Sequence, residues 1–175
     1  MGTTREDIGQ EDCWRLKMEN RTIRIVSDSE EETKAVGKWI GGLVRTGDIV
    51  CLEGDLGTGK TKLTKGIAEA LGIDEMITSP TFTIVNEYVG AKMLYHFDVY
   101  RVNDPEELYD IGFEEYIYNR AVVVIEWADL IKEMIPLENI WIRIKKKPDE
   151  RNNTRIIEVS FNGDSYAKKE FTGSF

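Results

Sequence analysis

Apolar positions along this chain recur with two periods, and the switches between them mark out the elements. Residues 22–26 (TIRIV) alternate apolar and polar, the pattern of a strand with one buried face. Within residues 27–44, Val36, Ile40, Leu43 and Val44 recur at helical spacing, and Ser29 followed by Glu32 predicts a capping box at that helix's start. Residues 47–54 (GDIVCLEG) are a short apolar run bounded by glycines, as a buried strand would be. The segment 60–71 places Leu63, Ile67 and Leu71 on one helical face, with Gly72 as its stop. Residues 83–101 read as a hairpin turning at Gly90, and 104–118 as a helix with Asp104 as N-cap and Pro105 in its first turn. The most apolar strand is 121–127 (AVVVIEW). Two further alternating strands, 139–146 and 154–161, flank the polar turn 147–153. No internal repeat is present. Residues 1–20 are polar and weakly patterned, which predicts an unstructured extension, or a start placed upstream of a true one near Met18, ahead of a single domain over 21–175.

Composition narrows the functional classes. A chain of 175 residues, 41% hydrophobic and 31% charged, fits one globular domain with a real core. Its formal charge of −9 argues against a free-standing nucleic-acid binder, which would carry a basic excess. Cys13 and Cys51 match no metal-ligand spacing, and Cys51, inside an apolar run, predicts a buried thiol in a reducing compartment. No apolar run has the length of a membrane span, the N-terminus lacks a signal-peptide core, and Glu6 stands where a myristoylation signal needs Ser or Thr. The expectation is a soluble cytoplasmic protein with no membrane partner.

The chemistry concentrates in residues 54–61. Gly54, Gly59, Lys60 and Thr61 satisfy the G-x-x-x-x-G-K-[ST] pattern of a phosphate-binding loop. Glycines let successive backbone N–H groups converge on phosphate oxygens, and the following helix presents its positive end to the same anion. Lys60 supplies a point charge near the β- and γ-phosphates, and Thr61 a hydroxyl for Mg²⁺. The loop lies between a buried-strand pattern and a helix pattern, the context that separates it from a chance glycine-rich turn. Glu126 closes the apolar run VVVIE, where an acid can orient a Mg²⁺-bound water or polarise an attacking one. In HFDVYR, period two puts His96, Asp98 and Tyr100 on one face. That face is either a magnesium or γ-phosphate sensor built on Asp98, or a solvated strand surface. His96, the only histidine, reads as structural. Trp127 alone among the four tryptophans sits where a ring could pack on a nucleotide, although core is its default reading. No N-K-x-D stretch supports guanine specificity, no serine or cysteine has a histidine-based activation pattern nearby, and Lys145–Lys147 read as a solvated turn.

GDLGTGKT, TSPTFTIVNEY, HFDVYR and VVVIEW, in that order, resemble the TsaE (formerly YjeE) family over residues 22–160. Its members are small bacterial ATPases needed to make N6-threonylcarbamoyladenosine at position 37 of tRNAs. The resemblance implies an α/β fold, a P-loop NTPase-like three-layer sandwich with a mixed parallel/antiparallel central sheet. It also implies that Leu56, Gly57, Thr58, Gly59, Lys60 and Thr61 wrap the phosphates of ATP or ADP, that Thr61 and Glu126 serve Mg²⁺, and that Asp98 lies near the γ-phosphate. Ser79, Pro80, Thr81 and Phe82, together with the HFDVYR region including Tyr100 and Arg101, would be switch segments. Trp127 would lie against the nucleotide, while Glu30 or Thr33, Asp129 and Arg155 would complete the base and ribose pocket. The implied partners are TsaB and TsaD, with tRNA reached through them, and the implied activity is ATP hydrolysis that resets that complex. Two rivals remain. One is a stand-alone P-loop kinase for a small molecule, with Arg101 and Arg120 as the only nominees for a lid. The other is a module that holds nucleotide without hydrolysing it.

Overall fold

The computed structural model describes the backbone of residues 17–19 and the whole of residues 22–147 and 153–166. Burial divides its strands into two kinds. β3 (Ile49–Glu53), β5 (Leu94–Asp98) and β6 (Val122–Glu126) are buried on both faces almost throughout, whereas β2 (Thr22–Ser27), β7 (Asn139–Lys146) and β8 (Arg155–Asn162) alternate buried and exposed. The first kind belongs in the middle of a parallel sheet and the second in an antiparallel flank with one open face. Together with β1 (Lys17–Glu19) and β4 (Val85–Tyr88) they form one sheet, ordered β1-β2-β8-β7-β3-β6-β5-β4. Pairings among β7, β3, β6 and β5 are parallel, and all others are antiparallel.

Helices α1 (Glu30–Leu43) and α2 (Lys60–Ala70) cover one face. Val36, Ile40, Leu63 and Ile67 pack there against Ile25, Val50, Leu52, Val122, Val124 and Ile142. The opposite face of β3, β6 and β5, carrying Cys51, Val123, Ile125 and Phe97, is covered by α3 (Glu106–Asp110), α4 (Phe113–Ile117) and a 3₁₀ segment, Ala128–Met134. The result is the expected three-layer sandwich around a mixed sheet. Ser29 caps α1 as the sequence implies, accepting from the Glu32 N–H at 3.0 Å while Glu32 reaches back to the Asp28 N–H at 2.6 Å. α1 and α2 approach so closely that a Cβ on Gly66 would lie 2.0 Å from the Lys34 carbonyl oxygen. Cys51 is fully buried, and burial pushes its thiol pKa up.

Three expectations need correction. The helix expected over 104–118 is two short ones, because Gly112 adopts φ +72° and turns the chain between them. Asp104 still serves the start of the first, its Oδ1 accepting from the Glu106 N–H at 2.9 Å. Lys145 and Lys146 form the exposed end of β7 instead of a turn. Residues 17–19, inside the stretch expected to be an extension, pair with β2 as an edge strand; the remainder of 1–20 and most of the turn 147–153 lie outside the described residues. Among the described residues no helix is long and apolar enough to cross a membrane.

Candidate nucleotide site

The loop joining β3 to α2 runs from Gly54 to Gly59, at the carboxyl end of the parallel strands. Two glycines there are obligatory for different reasons. Gly59 has φ +110°, a left-handed value that opens α2, and a Cβ on it would meet the Arg155 side chain at 3.3 Å. At Gly54 a Cβ would come within 2.4 Å of the Ile144 carbonyl oxygen on β7, so only hydrogen fits. α2 begins with no side-chain cap and no acid in its first turn. Its leading N–H groups are therefore left for an anion.

A cleft of about 580 Å³ opens over this loop. The loop and α2 give it Leu56, Gly57, Gly59, Lys60 and Thr61, with Lys62 and Lys65 farther along the helix. Ser79 and Thr81 line it from the segment before β4, Asp98, Tyr100 and Arg101 from the end of β5, Glu126 and Trp127 from the end of β6, and Glu30 and Arg155 from α1 and β8. In a chain of net charge −9, five bases (Lys60, Lys62, Lys65, Arg101 and Arg155) gather at one opening. That concentration suits a polyphosphate. Lys62 is partly neutralised by Glu31 at 2.8 Å and Glu30 at 3.5 Å.

Asp98 and Glu126 are partners in the parallel register of β5 and β6, so the two carboxylates emerge side by side beneath the loop. On the face they share, His96 and Asp98 are buried, against the reading of a solvated strand surface, whereas Tyr100 is 51% exposed. Thr61 Oγ1 donates to Glu126 Oε2 at 3.0 Å; His96 Nε2 at 2.8 Å and Thr64 Oγ1 at 3.4 Å reach Oε1. Asp98 Oδ2 accepts from Ser79 Oγ at 2.5 Å and Thr81 Oγ1 at 3.0 Å, and Oδ1 from the Tyr100 N–H at 3.0 Å. The segment containing SPTF is thereby tied to an acid nineteen residues on.

The Lys60 ammonium is folded onto its own loop, donating to the carbonyl oxygens of Gly54 at 2.5 Å and Asp55 at 2.9 Å. It also sits 3.6 Å from the centre of the Trp127 ring. Burial holds its pKa below the usual lysine value, against the opposing pull of Glu126, Asp98, Asp129 and Asp55. Trp127 has φ +62°, a strained value for a large side chain, and its ring packs tilted against Tyr100 within the cleft, with the ring centres 4.6 Å apart.

Other expected site residues lie outside the cleft lining. Thr58 is buried, and its carbonyl accepts from Arg155 Nε at 2.8 Å, so Arg155 braces the loop as well as lining the cleft. Thr33 is fully buried beneath Gly59, with its hydroxyl 3.0 Å from the Ser29 carbonyl and 2.8 Å from Ser27 Oγ; Glu30 is the α1 residue that faces the opening. Pro80 is buried, and its carbonyl accepts the N–H groups of Thr83 and Ile84 in a tight turn. Phe82 is 84% exposed beneath the Arg101 guanidinium. Asp129 does not line this cleft, although its charge still acts on Lys60. After the backward bend at Trp127 it faces a separate depression with Lys132, Trp141 and Arg143. Sequence reasoning missed Thr64, Lys62, Lys65 and the contact made by His96. Thr64 was findable, one helical turn beyond Lys60 on the same face.

The donor set fits Mg²⁺. Among the described residues no group of three or more His, Cys, Asp or Glu side chains could hold a metal unaided. Magnesium in phosphate sites takes one or two protein oxygens and completes its shell with phosphate and water. Thr61 and Glu126 supply oxygens of that kind.

Comparison with known proteins accords with this arrangement. Residues 27–156 match the family model described as threonylcarbamoyl adenosine biosynthesis protein TsaE. The chain is 50% identical over 130 residues to the tRNA threonylcarbamoyladenosine biosynthesis protein TsaE of Bacillus subtilis, covering 74% of this chain and 81% of that one. To the protein of the same description from Treponema pallidum it is 42% identical over 127 residues, covering 73% and 94%. The crystal structure of Bacillus subtilis YdiB superposes with a TM-score of 0.72 at 38% identity, over 86% of this chain and 93% of that one. With a family model spanning the loop, both strand-end acids and the bracing arginine, and relatives this similar over most of their length, the chain belongs to the TsaE family.

Proposed function

We propose that this chain is the Mg²⁺-dependent ATPase component of the machinery that makes N6-threonylcarbamoyladenosine in tRNA, hydrolysing ATP to ADP and phosphate to support cycling of a TsaB–TsaD complex. The observation that carries the reading is the pairing of Thr61 with Glu126, with Asp98 alongside, under a phosphate loop in a chain of this family. The α2 N-terminus and Lys60 bind the phosphates, Lys60 exchanging the Gly54 and Asp55 carbonyls for phosphate oxygens. Thr61 and Glu126 would hold Mg²⁺, which would neutralise charge on the transferring phosphates. Asp98 orients the water whose oxygen bonds to the γ-phosphorus as the bond to the ADP oxygen breaks, and a water proton leaves through the carboxylate. Trp127 and Tyr100 wall the cleft. A net charge of −9 leaves tRNA contact mainly to the partners.

The kinase rival loses one of its two lid arginines. Arg120 precedes the N-terminal end of β6, whereas the cleft lies at the other end of that strand. Lys60→Ala and Glu126→Ala each test the proposal. ATP hydrolysis in the presence of TsaB and TsaD is expected to fall by about a hundredfold or more, and cells carrying only the variant are expected to lose the modified adenosine from tRNA. Wild-type tRNA modification with both variants would refute the proposal.

A further inference from the structure

Glu126 depends on a residue the proposed chemistry does not otherwise use. His96 lies on β5 one pleat before Asp98, is fully buried (0% accessible), and its Nε2 lies 2.8 Å from Glu126 Oε1. A carboxylate oxygen only accepts, so Nε2 carries the hydrogen. Nδ1 has no hydrogen-bond partner among the described residues. An unpaired lone pair is the more tolerable orphan, because a buried N–H without an acceptor is rarer. The only side-chain hydrogen bond His96 makes among the described residues thus goes to Glu126. With Oε1 taken by His96 and, more weakly, by Thr64, Oε2 is left to Thr61 and the cleft. Without that anchor the carboxylate is free to rotate toward Lys60, whose buried ammonium it attracts.

We infer that His96 is a positioning residue, a buried anchor that fixes Glu126 so that one carboxylate oxygen is always presented beside Thr61 to the metal side of the nucleotide. This rests on the reading of Glu126 as a magnesium-serving carboxylate. Residues that orient metal ligands from behind characteristically govern metal affinity more than phosphate grip.

The test is calorimetric binding of the non-hydrolysable analogue AMP-PNP to the full chain, with excess Mg²⁺ and again with EDTA. A glutamine amide nitrogen stands as many bonds from Cβ as His Nε2 does, whereas that of asparagine reaches only as far as Nδ1. His96→Asn is expected to lose about tenfold or more of the Mg²⁺-dependent gain in affinity, with binding in EDTA within about twofold of wild type, while His96→Gln keeps most of the gain. Added to Glu126→Gln, His96→Asn is expected to cost nothing further. If Glu126→Gln loses the gain and His96→Asn keeps it, the inference fails alone. If Glu126→Gln keeps the gain, the reading of Glu126 fails and the inference with it. A measurement on the unsubstituted chain covers the case in which His96→Asn does not fold. His96 is the sole histidine, so its ring nitrogens give an unambiguous ¹⁵N NMR signature. The Nε2–H tautomer is expected, with signals that move when Mg²⁺ is added to the AMP-PNP complex and do not move in Glu126→Gln. Ring signals indifferent to Mg²⁺ in the unsubstituted chain would overturn the inference.

Discussion

Gly66→Ala should destabilise the protein although it replaces a poor helix former with the best one. Gly66 lies in the middle of α2 where that helix crosses α1, and a Cβ there would sit 2.0 Å from the Lys34 carbonyl oxygen, 2.7 Å from the Lys38 nitrogen and 3.0 Å from the Gly37 carbonyl carbon. All three are backbone atoms, so no side chain can swing away. Real Cβ atoms essentially never come within 3.0 Å of another heavy atom, so the helices must part by about 1 Å. Overpacking of this kind costs about 1–3 kcal/mol and occasionally more, with a rigid backbone clash at the upper end. Alanine returns about 1 kcal/mol of helix propensity. The net expectation is a loss of about 2 kcal/mol, which for a domain of this size lowers Tm by roughly 4–8 °C. Urea unfolding should show a lower midpoint with an unchanged slope. Because α2 starts at the phosphate loop, ADP affinity should fall as well. Gly42→Ala is the control. It lies in α1 with nothing within 4 Å of its Cβ position, and should stabilise by about 0.5–1 kcal/mol. A Gly66→Ala protein as stable as wild type would refute the close-contact argument.

Arg155→Lys should weaken ADP binding by about tenfold and lower Tm, because the ammonium cannot reproduce the Nε bond to the Thr58 carbonyl together with the Nη1 bond to Asn153; an unchanged dissociation constant by calorimetry would count against Arg155 as the brace of the loop. Burial alone would raise the pKa of Glu53, but hydrogen bonds from Arg143 and Trp141 outweigh it and hold the carboxyl below its usual value. Its stabilising contribution is therefore complete above the unfolded value of about 4.3 and is lost as pH falls through the lower folded value. Urea titrations across that window should show a decline in wild type that is smaller in Glu53→Gln. In a Cys13→Ser background, Cys51 should resist maleimide at mildly alkaline pH until the protein unfolds, as its burial and raised pKa require; rapid labelling of the native protein would contradict its placement on the covered face of β3.

The loop and Glu126 were legible because each announces itself locally, whereas the placing of Asp98 beside them came only with the family resemblance. A glycine pattern between strand and helix periodicities marks the loop, and a carboxylate ending a buried run has few structural reasons to be there. Distances across the sheet were not legible. Arg155 meets Thr58 across 97 residues of chain, and Asp98 meets Glu126 only through the β5–β6 register, so neither contact leaves a mark on nearby sequence. Asp129 and Thr33 stay out of the cleft lining for a related reason: they are close in sequence to residues that line it, but the chain bends at the positive φ of Trp127 before Asp129, and the helical rotation of α1 puts Thr33 inward while Glu30 faces out. The break at Gly112 carried a local signal, a glycine within a helical pattern, that the apolar spacing around it outweighed.

The sequence by itself determined most element types, the alternation of strands and helices, the glycine-rich loop and the acid that closes β6, since hydrophobic periodicity and backbone steric demands are short-range properties. Tertiary structure decided which groups share a bond. It set Asp98 beside Glu126, closed Ser79 and Thr81 onto Asp98, laid Lys60 against Trp127, and joined the buried His96 to Glu126. Those pairings follow from strand register and layer packing, in which the whole buried core takes part, and no stretch of a few residues encodes them.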